Sequence, residues 1–458
     1  MIDYQEELEQ YKERIDELAT QKRYAELRDL FLPMEPADIA LLLEEGKQEQ
    51  MPLLYRLLPK ETAAEVFVEL EPESQEMLIN GFSNTELTEV LDELYLDDAV
   101  DIVEEMPASV VIRILDKATP EMRKSINEIL KYPEDSAGSI MNMEFLSLKK
   151  DMTVEDAFKR IRRIGGELET INILYVTDPT RHLLGVLSVR DLLLAEEDDL
   201  IEEIMDPDVV WAKTTDDKED VAQALSKYDF LAMPIVDLEK RLVGIVTVDD
   251  AMDVIQDENT EDFSKMAAIA PNEESYFRTG IFKHAKSRIV WLLILMISAT
   301  ITQIITNRYE AAFAAVPLLV SFMPMIMDTG GNCGAQSSTL IIRGIALDEI
   351  HFSDFFKVVF KEFRISIIVS SVLAVVNGVR IYIMYQHKCD YPFMLALTIA
   401  LSIIATVILS KVIGSMLPML AKKCRLDPAI MATPLITTIV DCCSLFLYFN
   451  IATIVFSH

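Results

Sequence analysis

DPAIMATPLITTIVDCCSLFLYFNIATIVF (427–456) is the last long apolar stretch of this chain. The stretch exceeds the roughly 20 predominantly apolar residues that a helix needs to cross a bilayer, so we predict a membrane-spanning helix. Asp441 lies in its middle. A carboxylate at that depth costs about 2.5–3.5 kcal/mol on insertion scales, and such residues usually face a bundle interior or a water-filled path. We therefore expect Asp441 to mark an ion path. The alternative is a protonated acid that hydrogen-bonds a neighbouring helix.

The charge of the chain is unevenly distributed. Its 458 residues carry a formal net charge of −33, and the part before about residue 275 is rich in acids, whereas the part after about residue 287 is mostly apolar. An acidic half has no basic stripe for phosphates, which disfavours nucleic acid as a partner. It suits a multivalent cation, although acidity also serves solubility alone. The acidic start, MIDYQEE (1–7), is unlike a secretory signal, and we expect the N-terminal half to stay in the cytoplasm.

The first 130 residues follow a helical period. Residues 1–30 predict one charged helix, and short pieces such as ADIALLLEE (37–45) and LDDAVDIVEEM (96–106) follow it. Each piece has apolar residues at helical spacing and a Pro, Asp or Asn in a capping position. None is long enough to be stable alone, so they should stack. We predict an all-α superhelical N-domain over residues 1–130.

The middle of the chain repeats itself. GVLSVRD (185–191) is echoed by GIVTVDD (244–250), and the duplicated unit is about 60 residues long. Each run predicts a strand followed by a helix, and the two resemble a pair of CBS domains. We therefore expect an α/β pair of CBS domains at 131–199 and 200–255. In families with this motif, the hydroxyl and the Asp bind the ribose and phosphates of an adenine nucleotide; the matching residues here are Ser188, Asp191, Thr247 and Asp250. The alternative is that these side chains only cap the next helix.

A connecting segment leads from the repeats to the apolar half. Residues 248–270 predict one acidic helix that Pro271 ends, and we assign 248–275 as a connecting, or plug, helix. A basic collar follows, formed by Arg278, Lys283, His284, Lys286 and Arg288.

Five membrane spans can be drawn in a transmembrane domain at 280–458. Their predicted bounds are about 288–307, 312–342, 362–386, 391–420 and 428–456. Basic residues are concentrated before the first span and in the loops after the second and fourth spans. Because basic loops stay in the cytoplasm, we expect the N-terminus to be cytoplasmic and the C-terminus to be outside.

The second span, PLLVSFMPMIMDTGGNCGAQSSTLIIRG (317–344), is rich in Pro and Gly and also carries Asp328 and Asn332. Irregular backbone at membrane depth occurs only where it is buried in protein or lines a water-filled cavity. We therefore expect broken backbone here, with freed carbonyls, on the same ion path as Asp441; the alternative is tight packing at small residues. Oxygen ligands without thiolate or imidazole favour a hard cation such as Mg²⁺.

The order of these parts is specific. An acidic helical domain, paired CBS repeats, an acidic connecting helix and five spans, together with TGGNCGAQSSTLIIRGIAL (329–347) and DPAIMATPLITTIVD (427–441), resemble the MgtE family of magnesium transporters. The resemblance implies a homodimer with its pore at the dimer interface and a hydrated Mg²⁺ held by Asp441. The matching pore residues are Gly330, Gly331, Asn332 and Thr433, the last at a position where the family often has Asn.

The resemblance also implies that intracellular Mg²⁺ closes the pore. In this family, cations bind between acidic faces of the helical domain, the CBS pair and the plug helix. The matching acids here are Asp97, Asp101, Asp217, Glu219, Asp229, Asp250, Asp253, Glu261 and Asp427. Clustered carboxylates repel one another, so bound Mg²⁺ would favour the compact state by its differential affinity.

These features and the family resemblance together imply a Mg²⁺-selective, channel-like transporter of the plasma or inner membrane that cytosolic Mg²⁺ closes. Mg²⁺ would be both substrate and regulator, with ATP or another adenine nucleotide as a further candidate regulator. One alternative is a broader divalent cation transporter that also takes Co²⁺ or Mn²⁺. Another is a membrane-anchored adenosine-nucleotide sensor. We do not expect an enzyme, since no nucleophile–base pair and no ATP-hydrolysing motif are evident in the sequence.

Overall fold

The computed structural model describes residues 2–271, 276, 279–309, 317–431 and 433–456. Arg278 of the predicted basic collar and the first residues of the predicted second span therefore lie outside the described residues. The chain divides into two compact units, Met1–Ile255 and Gln256–His458.

Ten helices open the first unit, and all except the first are short. Their bounds are α1 Ile2–Thr20, α2 Tyr24–Phe31, α3 Pro36–Glu45, α4 Met51–Tyr55, α5 Lys60–Val68, α6 Pro72–Gly81, α7 Asn84–Leu91, α8 Leu96–Glu105, α9 Ala108–Lys117 and α10 Pro120–Ile129. Helix α3 packs on α5, α5 on α7 and α7 on α9, so that these four helices stack in order along the unit. Proline begins α3, α6 and α10, where its missing N–H is not needed.

The single helix predicted for residues 1–30 is wrong. The chain breaks between α1 and α2, and Lys22 has a positive φ of 58° there. Charged residues continue evenly through this turn, so the helical pattern alone hid it. The break lets Leu27 and Phe31 of α2 turn inward, where both are buried.

The duplicated sequence forms two matching sheets. The first contains β1 Ser147–Lys149, β2 Ile173–Thr177 and β3 Leu183–Ser188, and the second contains β4 Ala212–Lys213, β5 Ala232–Val236 and β6 Leu242–Thr247. In each sheet the first pair is parallel and the second antiparallel. The accompanying helices are α11 Val154–Ile164, α12 Val189–Leu194, α13 Ile201–Ile204, α14 Lys218–Tyr228 and α15 Val248–Met266.

The segment that precedes each sheet in the chain pairs with the sheet of the other repeat. Asn142 and Ile245 of β6 exchange two backbone hydrogen bonds, both of 2.8 Å. Val186 of β3 and Asp206 pair in the same way, at 2.9 and 2.8 Å. The repeated Gly permits this approach, since a Cβ on Gly244 would lie 2.9 Å from the Asn142 carbonyl oxygen. The two repeats are therefore joined by exchanged backbone as well as by side chains.

In the described part of the second unit, five long helices follow α15. They are α16 Ile281–Arg308, α17 Met323–Ala346, α18 Phe355–Tyr385, α19 Pro392–Lys423 and α20 Thr433–Phe456. Within the described residues, α16, the segment 352–385, α19 and α20 are long and apolar enough to cross a membrane, and this count of four does not confirm the predicted five. Helix α15 ends at Met266 and not at Pro271; Ala268 beyond it has a positive φ of 56°.

The broken backbone expected in the second span is also wrong. Residues Pro317–Phe322 form one short 3₁₀ segment, and α17 then runs without interruption through Gly330, Gly331 and Gly334. The glycines serve close packing. A Cβ on Gly334 would lie 2.9 Å from Ile436 of α20, and one on Gly414 of α19 would meet the Gly334 carbonyl. Small residues let these helices approach at backbone distance, which was the alternative reading of this span.

Candidate cation sites

The first unit contains one dense carboxylate cluster. One carboxylate oxygen each of Asp97, Glu169 and Asp250 lies within 4.8 Å of the others, and this is the group of at least three potential metal ligands found among the described residues. Three oxygens at this separation can serve one hard divalent cation that keeps part of its water shell.

Local structure brings these three residues together. Asp97 lies in the first turn of α8, Glu169 lies between α11 and β2, and Asp250 lies in the first turn of α15. Buried Asn142 ties them to the second sheet, because its amide Nδ2 donates to Asp97 Oδ2 at 3.0 Å and to Glu169 Oε2 at 2.6 Å. Thr247 at the end of β6 donates its hydroxyl to Asp250 Oδ2 at 2.6 Å.

The cluster is electrostatically strained without a cation. Burial, followed by the charges of Asp97 and Asp250, raises the pKa of Glu169 to about 8. Burial and Asp97 raise the pKa of Asp250 to about 7. The same causes raise the pKa of Asp101, one turn further along α8, to about 8. In these surroundings the protonated form of each carboxyl is favoured over the ionised form. A bound cation would favour the ionised form instead.

Sequence reasoning found part of this cluster. Asp97, Asp101 and Asp250 were predicted as regulatory metal ligands, and the structure brings them close together. Glu169 and Asn142 were missed. Glu169 follows a Gly-Gly pair in a connection, and nothing local distinguishes it from the many exposed acids. Asn142 could have been identified from the internal repeat, because IMNM (140–143) matches IMDP (204–207) in sequence.

The other acids predicted in the first unit are dispersed. Asp217 caps α14, where its carboxylate accepts the backbone N–H of Glu219 at 2.9 Å. Asp229 lies at the opposite end of α14, with a left-handed φ of 55°. Asp253 is exposed on α15. These residues stay predictions as cation ligands.

Glu261 and Asp427 meet in the second unit through a lysine. Lys265 Nζ lies 2.7 Å from Glu261 Oε1 and 2.6 Å from Asp427 Oδ2. Asp262 is close by, and its pKa is raised by burial and then by the charge of Asp427. An ammonium group thus lies between two carboxylates that were each predicted as a metal ligand.

The predicted nucleotide residues behave differently in the two repeats. Ser188 caps α12 by accepting the backbone N–H of Asp191 at 3.1 Å, and its hydroxyl donates to Asp191 Oδ2 at 2.5 Å. Asp191 is exposed. Its counterpart Asp250 belongs to the carboxylate cluster, and Thr247 is buried. The exposed Ser188–Asp191 corner is therefore the better candidate for a nucleotide.

The predicted ion-path residues lie on α17 and α20. Gly331 faces α20 closely enough that a Cβ there would lie 3.1 Å from Thr437 and 3.8 Å from Asp441 Oδ1. Asn332 donates to Asp328 Oδ1 at 3.2 Å, and both side chains are exposed. Gln336 extends this exposed polar row by one turn, and Thr433 is exposed at the start of α20.

Comparison with known proteins covers almost the whole chain. Residues 323–451 match the divalent cation transporter family MgtE, residues 34–135 match the MgtE intracellular N domain, and residues 137–198 and 201–257 match CBS domains. The chain is 35% identical over 430 residues to the magnesium transporter MgtE of Thermus thermophilus, covering 93% of this chain and 94% of that protein.

Two further relatives extend this comparison. The magnesium transporter MgtE of Bacillus subtilis is 32% identical over 440 residues, with 96% of each chain covered. A crystal structure of the cytosolic domain of the Mg²⁺ channel MgtE in complex with ATP is 38% identical and covers 52% of this chain and 98% of its own, with a TM-score of 0.50.

Proposed function

Because this chain belongs to the MgtE family of magnesium transporters, we propose that it conducts Mg²⁺ across the cell membrane and that cytosolic Mg²⁺ closes the path. Transport follows the electrochemical gradient. An inside-negative potential contributes about 2.3 kcal/mol per charge per 100 mV, and a divalent ion doubles this. The protein acts as a transporter and not as an enzyme, in keeping with its curated relatives.

The packing of Asp441 against Gly331 carries the proposal. One carboxylate on α20 lies beside a polar row on α17, which begins at Asp328 and Asn332. The row is exposed on one chain, and we propose that a second copy meets it across the pore of a homodimer. The carboxylates of Asp441 and Asp328, with the amide oxygen of Asn332, suit a Mg²⁺ ion that keeps most of its water. Gly330 and Thr433 contribute to the same path.

The membrane arrangement extends this proposal. We assign α17 as a fifth span beside the four apolar segments, which places the acidic domains in the cytoplasm and the C-terminus outside. Helix α15 acts as the plug helix that connects the CBS pair to the pore.

Feedback by Mg²⁺ follows from the carboxylate clusters. Mg²⁺ bound at Asp97, Glu169 and Asp250 would lower the free energy of the compact arrangement, which we equate with the closed state. A shift of the open–closed equilibrium from 99:1 to 1:99 needs about 5.5 kcal/mol of differential binding. Several weak sites acting together would supply this; further predicted sites include Asp101, Asp217, Glu219, Asp229, Asp253, Glu261 and Asp427.

The decisive experiment is Mg²⁺ uptake into proteoliposomes with Mg²⁺ varied on the cytoplasmic face. Asp441→Ala is expected to abolish uptake, whereas Asp390→Asn, a change at an exposed acid between α18 and α19, should leave it unchanged. If Asp441→Ala folds, dimerises and still transports, the pore assignment is wrong. Co²⁺ and Mn²⁺ flux in the same vesicles separates a Mg²⁺-selective path from a broader divalent cation path.

An adenine nucleotide is a second candidate ligand. The ATP complex of a related cytosolic domain supports it, together with the exposed Ser188–Asp191 corner at the start of α12. We expect ATP to bind the full chain and Asp191→Ala to weaken this binding, while Asp151→Asn at an exposed loop acid does not. If the chain were only a membrane-anchored nucleotide sensor, Asp441→Ala would have no effect on ion flux because no flux would occur.

A further inference from the structure

Two oppositely charged side chains are buried together among the helices of the second unit. Glu362 of α18 is 7% exposed and Lys411 of α19 is 5% exposed. Their Oε2 and Nζ atoms lie 3.8 Å apart. Burial of two charges costs several kcal/mol in hydration that a pair at this distance recovers only with further hydrogen bonds.

Ser337 of α17 supplies those hydrogen bonds. Its hydroxyl donates to Glu362 Oε2 at 2.6 Å, and its oxygen accepts from Lys411 Nζ at 3.2 Å. The hydroxyl, which is 1% exposed, therefore lies between an anion and a cation from two different helices. Three helices are joined at this one atom.

The next residue ties α17 to a further segment of the chain. Ser338 donates its hydroxyl to the carbonyl oxygen of Met431, two residues before the start of α20 at Thr433. Two adjacent serines thus connect α17 with the buried ion pair on one side and with the entrance of the Asp441 helix on the other.

The packing of α17 explains why such directional contacts are needed. Gly330, Gly331 and Gly334 let α17 approach its neighbours closely, but a glycine surface has no side chain that would resist rotation or sliding. Hydrogen bonds to charged groups are directional and strong, so they can set the rotation that the glycines leave free.

We propose that the Glu362–Lys411 pair, acting through Ser337, positions α17 in the rotation at which Asp328, Asn332 and Gln336 face the ion path. The identity of that path rests on the proposed function. Glu362 and Lys411 are positioning residues in this proposal and do not contact the ion.

Cysteine labelling tests the rotation directly. Gln336→Cys on the polar row and Ile342→Cys on a buried face of α17 are made separately in a chain whose own cysteines are replaced. With the ion pair intact, a water-soluble thiol reagent should label position 336 much faster than position 342. In Glu362→Gln/Lys411→Met the ratio should fall by about tenfold, the size expected for loss of a hydrogen bond to a charged group.

A serine pair provides the matched control. Ser337→Ala should lower the labelling ratio in the same direction, and it decides the question if the double variant does not fold. Ser402→Ala should change nothing, because Ser402 is equally buried on α19 but donates only to Thr398 of its own helix at 2.7 Å. A labelling ratio that stays at the parent value in the folded double variant, or in Ser337→Ala, overturns the proposal.

Mg²⁺ uptake distinguishes this proposal from the proposed function. If the parent chain transports Mg²⁺, the double variant should melt at the parent temperature. Its Mg²⁺ uptake should be slower, or its ratio of Mg²⁺ uptake to Co²⁺ uptake should be lower. If the parent chain transports nothing, the proposed function fails, whereas the labelling ratio still decides whether the ion pair sets the rotation of α17.

Discussion

The ammonium group of Lys265 lies 2.6 Å from Asp427 Oδ2, so a residue of the α15 helix is ion-paired to the segment that precedes α20. Glu261 accepts from the same ammonium at 2.7 Å. Lys265 is thus a built-in cation beside two carboxylates that were each predicted as Mg²⁺ ligands. Because both carboxylates raise the pKa of Lys265, the lysine stays charged at every physiological pH.

We predict that Lys265→Met makes this contact dependent on Mg²⁺. Without the ammonium, Glu261, Asp262 and Asp427 repel one another, and the arrangement loses about 1 kcal/mol of stability, the upper end of what partly exposed ion pairs contribute. If the ion-paired arrangement around Lys265 belongs to the closed state, Mg²⁺ uptake at very low cytoplasmic Mg²⁺ should rise about fivefold in the variant. High Mg²⁺ should still close the path. The exposed Lys388→Met serves as the control. Unchanged uptake at low Mg²⁺ would show that Lys265 has no part in gating.

Glu169 is predicted to be a ligand in the cytosolic cluster. Glu169→Gln removes one of three carboxylates but keeps the shape of the side chain, so Mg²⁺ binding to the first unit should weaken about tenfold, equivalent to about 1.4 kcal/mol. Mg²⁺-dependent protection from proteolysis, measured across a Mg²⁺ titration, reports this shift. Asp151→Asn removes one exposed negative charge elsewhere in the unit and should leave the midpoint in place. Equal midpoints for the two variants would contradict a ligand role for Glu169.

The raised carboxyl pKa values predict a pH dependence of stability. Burial raises the pKa of Asp98 and Asp250 to about 7 and that of Asp101 and Glu169 to about 8, above their usual range near 4. Between about pH 4 and pH 8 the folded unit therefore binds more protons than the unfolded chain, and its stability falls as pH rises.

Thermal unfolding in a chelator should accordingly occur at a lower temperature at pH 8 than at pH 6. Millimolar Mg²⁺ should raise the transition most at pH 8, because the cation then replaces the missing protons. A transition temperature that rises between pH 6 and pH 8 without Mg²⁺ would contradict the raised pKa values of the clustered carboxyls.

Elements whose formation depends on residues close together in sequence could be predicted from local patterns. The repeated GVLSVRD and GIVTVDD runs predicted a strand and a helix in each repeat, because alternation and capping act over a few residues. The short amphipathic pieces predicted the stacked helices for the same reason. The break at Lys22 was missed because no Gly or Pro marks it.

Contacts between distant segments could not be predicted in this way. Asp97 and Asp250 were proposed only from a family resemblance, and Glu169 joins them because exchanged backbone at Asn142 draws three segments together. The ammonium of Lys265 between two predicted metal ligands depends on a contact between residues far apart in sequence. The glycines of α17 were interpreted as helix breakers, whereas their neighbours at Ile436 and Gly414 make them packing residues.

The glycine contact between α17 and α19 leads to a last prediction. A Cβ on Gly414 would collide with the backbone carbonyl of Gly334, and backbone cannot move aside as a flexible side chain can. Gly414→Ala should therefore force the two helices apart and destabilise the membrane unit by about 1–3 kcal/mol, the usual cost of overpacking. Gly378→Ala on α18 is the matched control, because its Cβ would meet Ala400 at an ordinary 3.7 Å.

The effect of Gly414→Ala is measured as the melting temperature in detergent and as the rate of Mg²⁺ uptake. Gly414→Ala should lower both, while Gly378→Ala should leave both near the parent values. Equal behaviour of the two variants would mean that α17 and α19 do not pack at backbone distance in the membrane.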